Sequence, residues 1–324
     1  MRLKKIKMLI YKDGEEKKLQ HILFKAKEPL LIRIKGFPNT FTIDYFIKKH
    51  QGLTHYSVFD NYRYVSEKSA DLKETLEEIK NNKPYRIFGL LLTREDSSII
   101  EKYVPIWQTI PFNPRFYNPK LKVAYFFGGR GSATEIHFDR EHCCNLHLCM
   151  SGKKQILLFT EDQSDYIYKI PYIGDSLIDF SLPMDQLHKK YPRLKEATGY
   201  NVILNPGDMI FMPRNCWHYT RYLDAATSAT YVFYVRKFWQ FYGHLTGYFF
   251  LGYKWHTTSL KISEWTLFKK FSFMYAMSKG WKKFLFKIIE NVSYIFLLPL
   301  ISIGAITYHK IKKFKSNHSV DDAE

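Results

Sequence analysis

Between residues 122 and 235 the apolar positions come in short runs, VAYFFGG, EIHFD, CNLHLCM, QILLF, NVIL, DMIFMP and TSATYVFYV, separated by the turn-forming stretches GGRGS, SGKK and NPGD. Runs of four to nine residues that alternate or stay continuously apolar predict strands, and seven or eight of them with such turns predict a sandwich or barrel. The pattern lapses between residues 164 and 199, a connection too long for a hairpin and of the kind that carries substrate contacts. Upstream, LLIRIKGF predicts a strand closed by Gly36. Apolar residues at helical spacing predict helices over residues 42–50 and 70–81, the second with acids early and lysine late, as the helix dipole favours. Residues 29–91 therefore read as a support layer.

The expected fold class is mainly β with helical support (α+β). The expected division is an N-terminal segment over residues 1–28, a barrel domain over 29–236, and a basic, aromatic-rich helical extension over 237–324. Aromatics make up 17% of the chain and exclude a disordered chain. The net charge of +18 invites a nucleic-acid reading, but its distribution disfavours that partner. Residues 251–318 hold twelve lysines, no arginine and two acids, so about ten of the eighteen charges lie in a stretch also rich in Phe, Trp and Ile. That composition leaves two readings open: helices that pack on the barrel or on a second copy as a homodimer, or peripheral membrane contact through residues 251–318. Within it, residues 292–308 run seventeen positions without a formal charge, short for a spanning helix and interrupted by Pro299 and Gly304. The four cysteines, Cys143, Cys144, Cys149 and Cys216, suit neither a disulfide framework nor zinc-finger spacing. With no signal-peptide pattern at the N-terminus, a cytoplasmic location is expected, with membrane association through the extension left open.

The candidate chemistry lies in T-E-I-H-F-D. His137 and Asp139 are two apart, so on a strand both side chains point to one face, where they suit one metal. His218 follows the N-P-G-D turn and the run MIFMP, which would return the chain to the same mouth. Two histidines and a carboxylate make the facial triad of non-haem iron oxygenases, with three positions left for co-substrate and dioxygen. His-x-Asp also arises by chance as a surface pair, so the surrounding residues decide its weight. Lys154 opens the apolar run QILLF, where an unpaired ammonium is costly.

With these motifs the chain resembles the JmjC-type, cupin-like Fe(II)- and 2-oxoglutarate-dependent oxygenases, particularly the branch containing the asparaginyl hydroxylase that inhibits hypoxia-inducible factor. The resemblance rests on T-E-I-H-F-D, G-K-K-Q-I-L-L-F, G-Y-N-V-I-L-N-P-G-D-M-I-F-M-P and the W-H pair at Trp217 and His218, and covers roughly residues 29–236. It implies a double-stranded β-helix, or jelly roll, and Fe(II) held by His137, Asp139 and His218. It further implies that Thr134 and Lys154 bind the 5-carboxylate of 2-oxoglutarate, with Asn145 beside the co-substrate. The implied reaction hydroxylates a substrate using dioxygen and 2-oxoglutarate and releases succinate and carbon dioxide.

Alternation along CNLHLCM aims Asn145, His147 and Cys149 at one face, so His147 and Cys149 read either as pocket lining or as ordinary interior packing. His142 and Cys143 resemble further ligands, but the triad already accounts for a metal. One departure stands out. By spacing from His218, a position often occupied by a polar Asn in this branch is Phe233 here, which implies altered co-substrate binding and keeps open a second reading, a metal-binding, non-catalytic adaptor or sensor recruited to a membrane. Tyr85 and Tyr125 are the candidates for the family's additional tyrosine contact. The substrate, a protein side chain or a small molecule, is not written in any motif.

Overall fold

The short apolar runs assemble into two facing sheets. The computed structural model describes residues 1–114, 123–139, 141–172, 174–252 and 266–321. Along the chain the strands are β1 (Arg2–Lys4), β2 (Lys7–Tyr11), β3 (Leu30–Ile34), β4 (Leu53–Asp60), β5 (Arg63–Asp71), β6 (Tyr85–Leu90), β7 (Val123–Gly128), β8 (Ala133–His137), β9 (Cys144–Ser151), β10 (Lys154–Phe159), β11 (Thr198–Leu204), β12 (Asp208–Met212), β13 (Trp217–Tyr222) and β14 (Ala226–Phe233). One sheet runs β1-β11-β10-β13-β8 and the other β2-β3-β12-β9-β14-β7-β6-β4-β5. From β7 onward the chain passes repeatedly between the sheets, and eight antiparallel strands, four in each, form the double-stranded β-helix expected of the sequence.

The seven strand runs read from the sequence fall within or around β7 to β12 and β14. Six strands, β1, β2, β4, β5, β6 and β13, are not predicted by the sequence pattern. The β4–β5 hairpin is polar and exposed along most of β5, so it lacks alternation. β13, WHYTRY, reads as polar but is buried at five of its six positions. The first residues supply strands to both sheets, β1 pairing in parallel with β11 and β2 with β3. Partner strands distant in the chain fix β1, β2 and β13, and no local pattern reports them, whereas β5 pairs with its hairpin neighbour β4.

Helices α1 (Glu16–Lys25), α2 (Ile43–Lys49), α3 (Leu72–Lys80), α4 (Arg94–Glu101) and α5 (Ile106–Thr109) cover the larger sheet. The helix expected over residues 70–81 is α3; Asp71 caps it by accepting from the backbone N–H of Lys73 at 2.8 Å and of Glu74 at 3.3 Å. Between these helices and the sheet lies a core that includes Phe46, Trp107, Tyr125, Phe127, Phe211 and Phe233. The barrel interior is lined by Ile156, Leu158, Val202, Leu204, Ile210 and Met212. A third cluster, with Phe138, Phe159, Trp217 and Tyr219, packs the outer face of the smaller sheet under the 164–199 connection, which contains α6 (Met184–Lys190).

The extension consists of α7 (Lys237–Gly252), α8 (Thr266–Met277) and α9 (Gly280–Asp321). It is fastened to the 164–199 connection through Glu290, which accepts from Lys169 Nζ at 2.5 Å and from the Tyr172 N–H at 2.7 Å and also pairs with the Tyr275 hydroxyl. The uncharged stretch 292–308 lies inside α9. Among the described residues no helix is long and apolar enough to cross a membrane.

Candidate metal centre

The register of two neighbouring strands builds the centre. His137 on β8 and His218 on β13 are direct cross-strand partners, and their ring centroids lie 4.2 Å apart. Beyond the strand, the Phe138 N–H donates to the Gly174 carbonyl at 2.8 Å, which keeps the chain extended and leaves Asp139 on the same side as His137. Asp139 Oδ1 is 3.8 Å from His137 Nε2. The ligand atoms of His137, Asp139 and His218 all lie within 4.8 Å of one another, the one such group of His, Cys, Asp and Glu among the described residues.

The surroundings prepare these side chains as ligands. His137 Nδ1 is 2.7 Å from the Glu135 carbonyl and His218 Nδ1 is 3.1 Å from the Cys216 carbonyl. A carbonyl only accepts, so Nδ1–H donates in both rings and each Nε2 keeps its lone pair for a metal. Burial, then the neighbouring His137, holds His218 well below the usual histidine range, which keeps it neutral. Asn145 donates its Nδ2–H to Asp139 Oδ2, which leaves Oδ1 turned toward His137. Two imidazoles that direct Nε2 inward and an oriented carboxylate with an open side fit a divalent first-row metal such as Fe(II).

Behind the triad sits a cationic end of the pocket. The Lys154 side chain is fully buried, and its Nζ donates to His147 Nε2 at 2.8 Å, Ser228 Oγ at 2.9 Å and the Tyr222 hydroxyl at 3.3 Å. All three acceptors are neutral, and burial pushes the Lys154 ammonium down to about 7. Gly152 makes the preceding turn at φ +70°, where a Cβ would lie 2.3 Å from the Ala225 carbonyl, so the turn that starts β10 at Lys154 admits only glycine.

Thr134 accepts from Arg86 Nη1 at 2.7 Å, and the same Nη1 donates to the Ala133 carbonyl at 2.6 Å. Arg86 spans from the larger sheet to the smaller one, is buried at its guanidinium, and has an Nε with no partner. Two buried cations with no carboxylate partner among the described residues face a site suited to an anion.

The other residues singled out in the sequence divide between this site and the core. His147 is at the site: Nδ1 donates to Thr230 Oγ1 at 2.6 Å while Nε2 accepts from Lys154. Cys149 is packed among interior apolar residues. Cys143 lies 3.9 Å from Asp139 Oδ2, with its thiol held protonated by burial. His142 points away, with Nδ1 2.6 Å from Asn215 Oδ1 and its ring against Phe138 and Tyr242.

Neither tyrosine candidate reaches the pocket. Tyr125 bonds Ser97 inside the helical core and Tyr85 packs on Tyr56; the hydroxyl beside Lys154 belongs to Tyr222. Phe233 occupies the opposite face of β14 from Ser228, where it packs against Phe24, Phe211 and Tyr231, so it does not enter the site. The sequence reading missed Arg86, Tyr222, Ser228 and Thr230. The available signal was alternation, since Ser228 and Thr230 lie on the face of β14 opposite Phe233 and Tyr222 shares the face of His218 on β13.

Comparison with known proteins agrees with this architecture. The profile of the cupin-like domain family matches residues 28–240. HSPB1-associated protein 1 of Rattus norvegicus is 32% identical over 104 residues, which cover 32% of this chain and 22% of that protein. JmjC domain-containing protein D of Dictyostelium discoideum is 24% identical over 187 residues, 56% of this chain and 40% of that protein. Lysine-specific demethylase 8 of Xenopus tropicalis is 28% identical over 115 residues, 35% of this chain and 25% of that protein. The matched stretches thus span less than half the length of each of these three relatives.

Proposed function

This chain belongs to the cupin-like domain family, and on that premise we propose that it is an Fe(II)- and 2-oxoglutarate-dependent dioxygenase that hydroxylates a protein side chain or another substrate and releases succinate and carbon dioxide. One observation carries the reading: the convergent His137, Asp139 and His218 share a barrel mouth with two buried cations, Lys154 and Arg86, that have no anionic partner among the described residues. A metal site alone would leave those cations unexplained, because burying an unpaired charge is costly unless a ligand supplies the counter-charge.

In this mechanism His137, Asp139 and His218 would hold the iron, which supplies dioxygen activation at the expense of 2-oxoglutarate. The chain's own residues set the geometry. Lys154 and Thr134 bind the distal carboxylate, and Arg86 adds a second cationic contact through the Thr134 hydroxyl it already holds. Tyr222, Ser228 and His147 fix the ammonium of Lys154, and Asn145 fixes the carboxylate of Asp139. The apolar wall of Ile156, Leu158 and Met212 excludes water.

The test is 2-oxoglutarate consumption with Fe(II) by the full chain, repeated with His137→Ala and Asp139→Ala. Turnover that survives both substitutions sinks the assignment. Oxygen gain in a proteome incubated with the enzyme, read by mass spectrometry, then identifies the substrate.

A further inference from the structure

Helix α9 buries charge and exposes apolar side chains. Its inward face carries two charged residues, Lys283 at 5% exposed and Glu290 at 8%, seven apart, beside the rings of Phe286 and Tyr294, which pack on Tyr275 and Tyr172. Lys283 Nζ donates to the Tyr275 carbonyl at 2.9 Å and pairs with Asp165, while Glu290 is taken up by Lys169 and Tyr275. The residues turned outward are apolar: Trp281 is 71% exposed, Phe284 66% and Ile295 69%, with Ile288, Val292 and Leu300 also exposed. Spacings of three and four place Trp281, Phe284, Ile288, Val292 and Ile295 on one stripe about 20 Å long. A protein surrounded by water places polar groups outward and apolar groups inward, and contiguous exposed apolar stripes of this length mark a contact surface.

Charge selects the occupant. Residues 266–320 contain ten lysines and a single acid, Glu290, and that acid is turned inward. Between residues 266 and 320 the outward side of α8 and α9 therefore carries no carboxylate, while Lys270, Lys279 and Lys282 are exposed. A second copy of the chain would bring lysine against lysine. An anionic lipid headgroup layer meets the lysines with opposite charge and accepts Trp and Phe at its acyl boundary. No helix among the described residues is long and apolar enough to cross a membrane, so contact is along the surface.

We propose that the outward face of α8–α9 is a peripheral membrane-binding surface for anionic lipid, with α9 lying in the interface plane. It stands on the exposed apolar stripe and the flanking lysines of the helix and is independent of the reaction at the metal centre. The connection that anchors α9 through Lys169 and Tyr172 also contacts the metal strand, Gly174 accepting from the Phe138 N–H. Membrane docking would hold the rim of the site close to the lipid surface.

The test is flotation of the full chain with vesicles of phosphatidylcholine alone and with vesicles enriched in phosphatidylserine. Wild type is expected to partition about tenfold more strongly onto the anionic vesicles, with the preference reduced by salt. The double variant Phe284→Glu with Ile295→Glu is expected to stay in the aqueous fraction with an unchanged melting temperature, because both side chains are exposed. Lys279→Glu with Lys282→Glu is expected to abolish the anionic preference. Equal flotation of wild type and the Phe284/Ile295 variant, or no flotation of either, overturns the proposal. So does a wild-type dimer, seen by sedimentation equilibrium without vesicle binding, that the same variant splits into monomers.

Discussion

The Lys154 ammonium lies 2.8 Å from Nε2 of His147, and both side chains are buried. Burial drives both toward their neutral forms: Lys154 is pushed down to about 7, and His147 falls well below its ordinary range. The lysine is thus poised to become fully charged when an anion arrives.

That poise predicts proton uptake on co-substrate binding. About one unit above a pKa near 7, roughly nine in ten Lys154 side chains are neutral. A bound carboxylate favours the ammonium, so 2-oxoglutarate should bring close to one proton with it there and far less about one unit below. Titration calorimetry in buffers of different ionisation enthalpy measures the proton count, and a count of zero on the alkaline side contradicts the binding role.

Lys154→Met should separate stability from binding. A buried lysine with a depressed pKa binds fewer protons folded than unfolded between about 7 and its ordinary 10.5, so its contribution to stability rises with pH across that window. The variant loses this slope and should gain most, relative to wild type, at and below about 7. Its 2-oxoglutarate affinity should fall about a hundredfold, the loss of a charge-assisted hydrogen bond. Melting curves against pH and binding isotherms check the two directions.

Arg86→Met should raise the KM for 2-oxoglutarate about tenfold or more while leaving metal affinity unchanged, and Arg86→Lys should recover only part of the loss, because a point charge cannot hold Thr134 and a carboxylate in one fork. Consumption assays at varied 2-oxoglutarate report KM. An unchanged KM in both variants confines Arg86 to structure.

Asn145→Ala leaves all three ligands in place and removes the amide that orients Asp139. Metal affinity should drop about 10- to 100-fold, as expected for a residue that positions a ligand. Anaerobic titration with Fe(II), or with Co(II) as a spectroscopic substitute, measures it.

Glu290→Leu should loosen the extension, because it leaves Lys169 without its carboxylate at a cost of about 3 kcal/mol. In the wild type, burial raises the Glu290 pKa, but Lys169 and Tyr275 outweigh it and hold the carboxyl below its ordinary 4.5. The stabilisation is therefore fully present above 4.5 and is lost as pH falls through the lower folded value. Hydrogen exchange along residues 164–172 and 280–300 should rise in the variant at neutral pH, and in the wild type only in acid.

How much of this was legible in the chain differs from element to element. The strands around VAYFFGG, CNLHLCM, QILLF and DMIFMP are recognisable because an interior strand needs apolar side chains whatever its neighbours are. The two-residue spacing of His137 and Asp139 likewise states that they share a face. By contrast β13, which carries His218 and Tyr222, is too polar to stand out, and Arg86 lies in a run whose pairing cannot be read locally.

The sequence by itself determined the alternation of the strands, the residue types of a metal centre and the excess of lysine and aromatic side chains after residue 237. Tertiary structure decided that His137 faces His218, that Arg86 and Lys154 meet at one end of the site, that Phe233 turns into the helical core, and that α9 buries Lys283 and Glu290. The physical reason is common to all four: periodicity fixes which side chains share a face, but only strand register and packing against distant elements decide what that face meets.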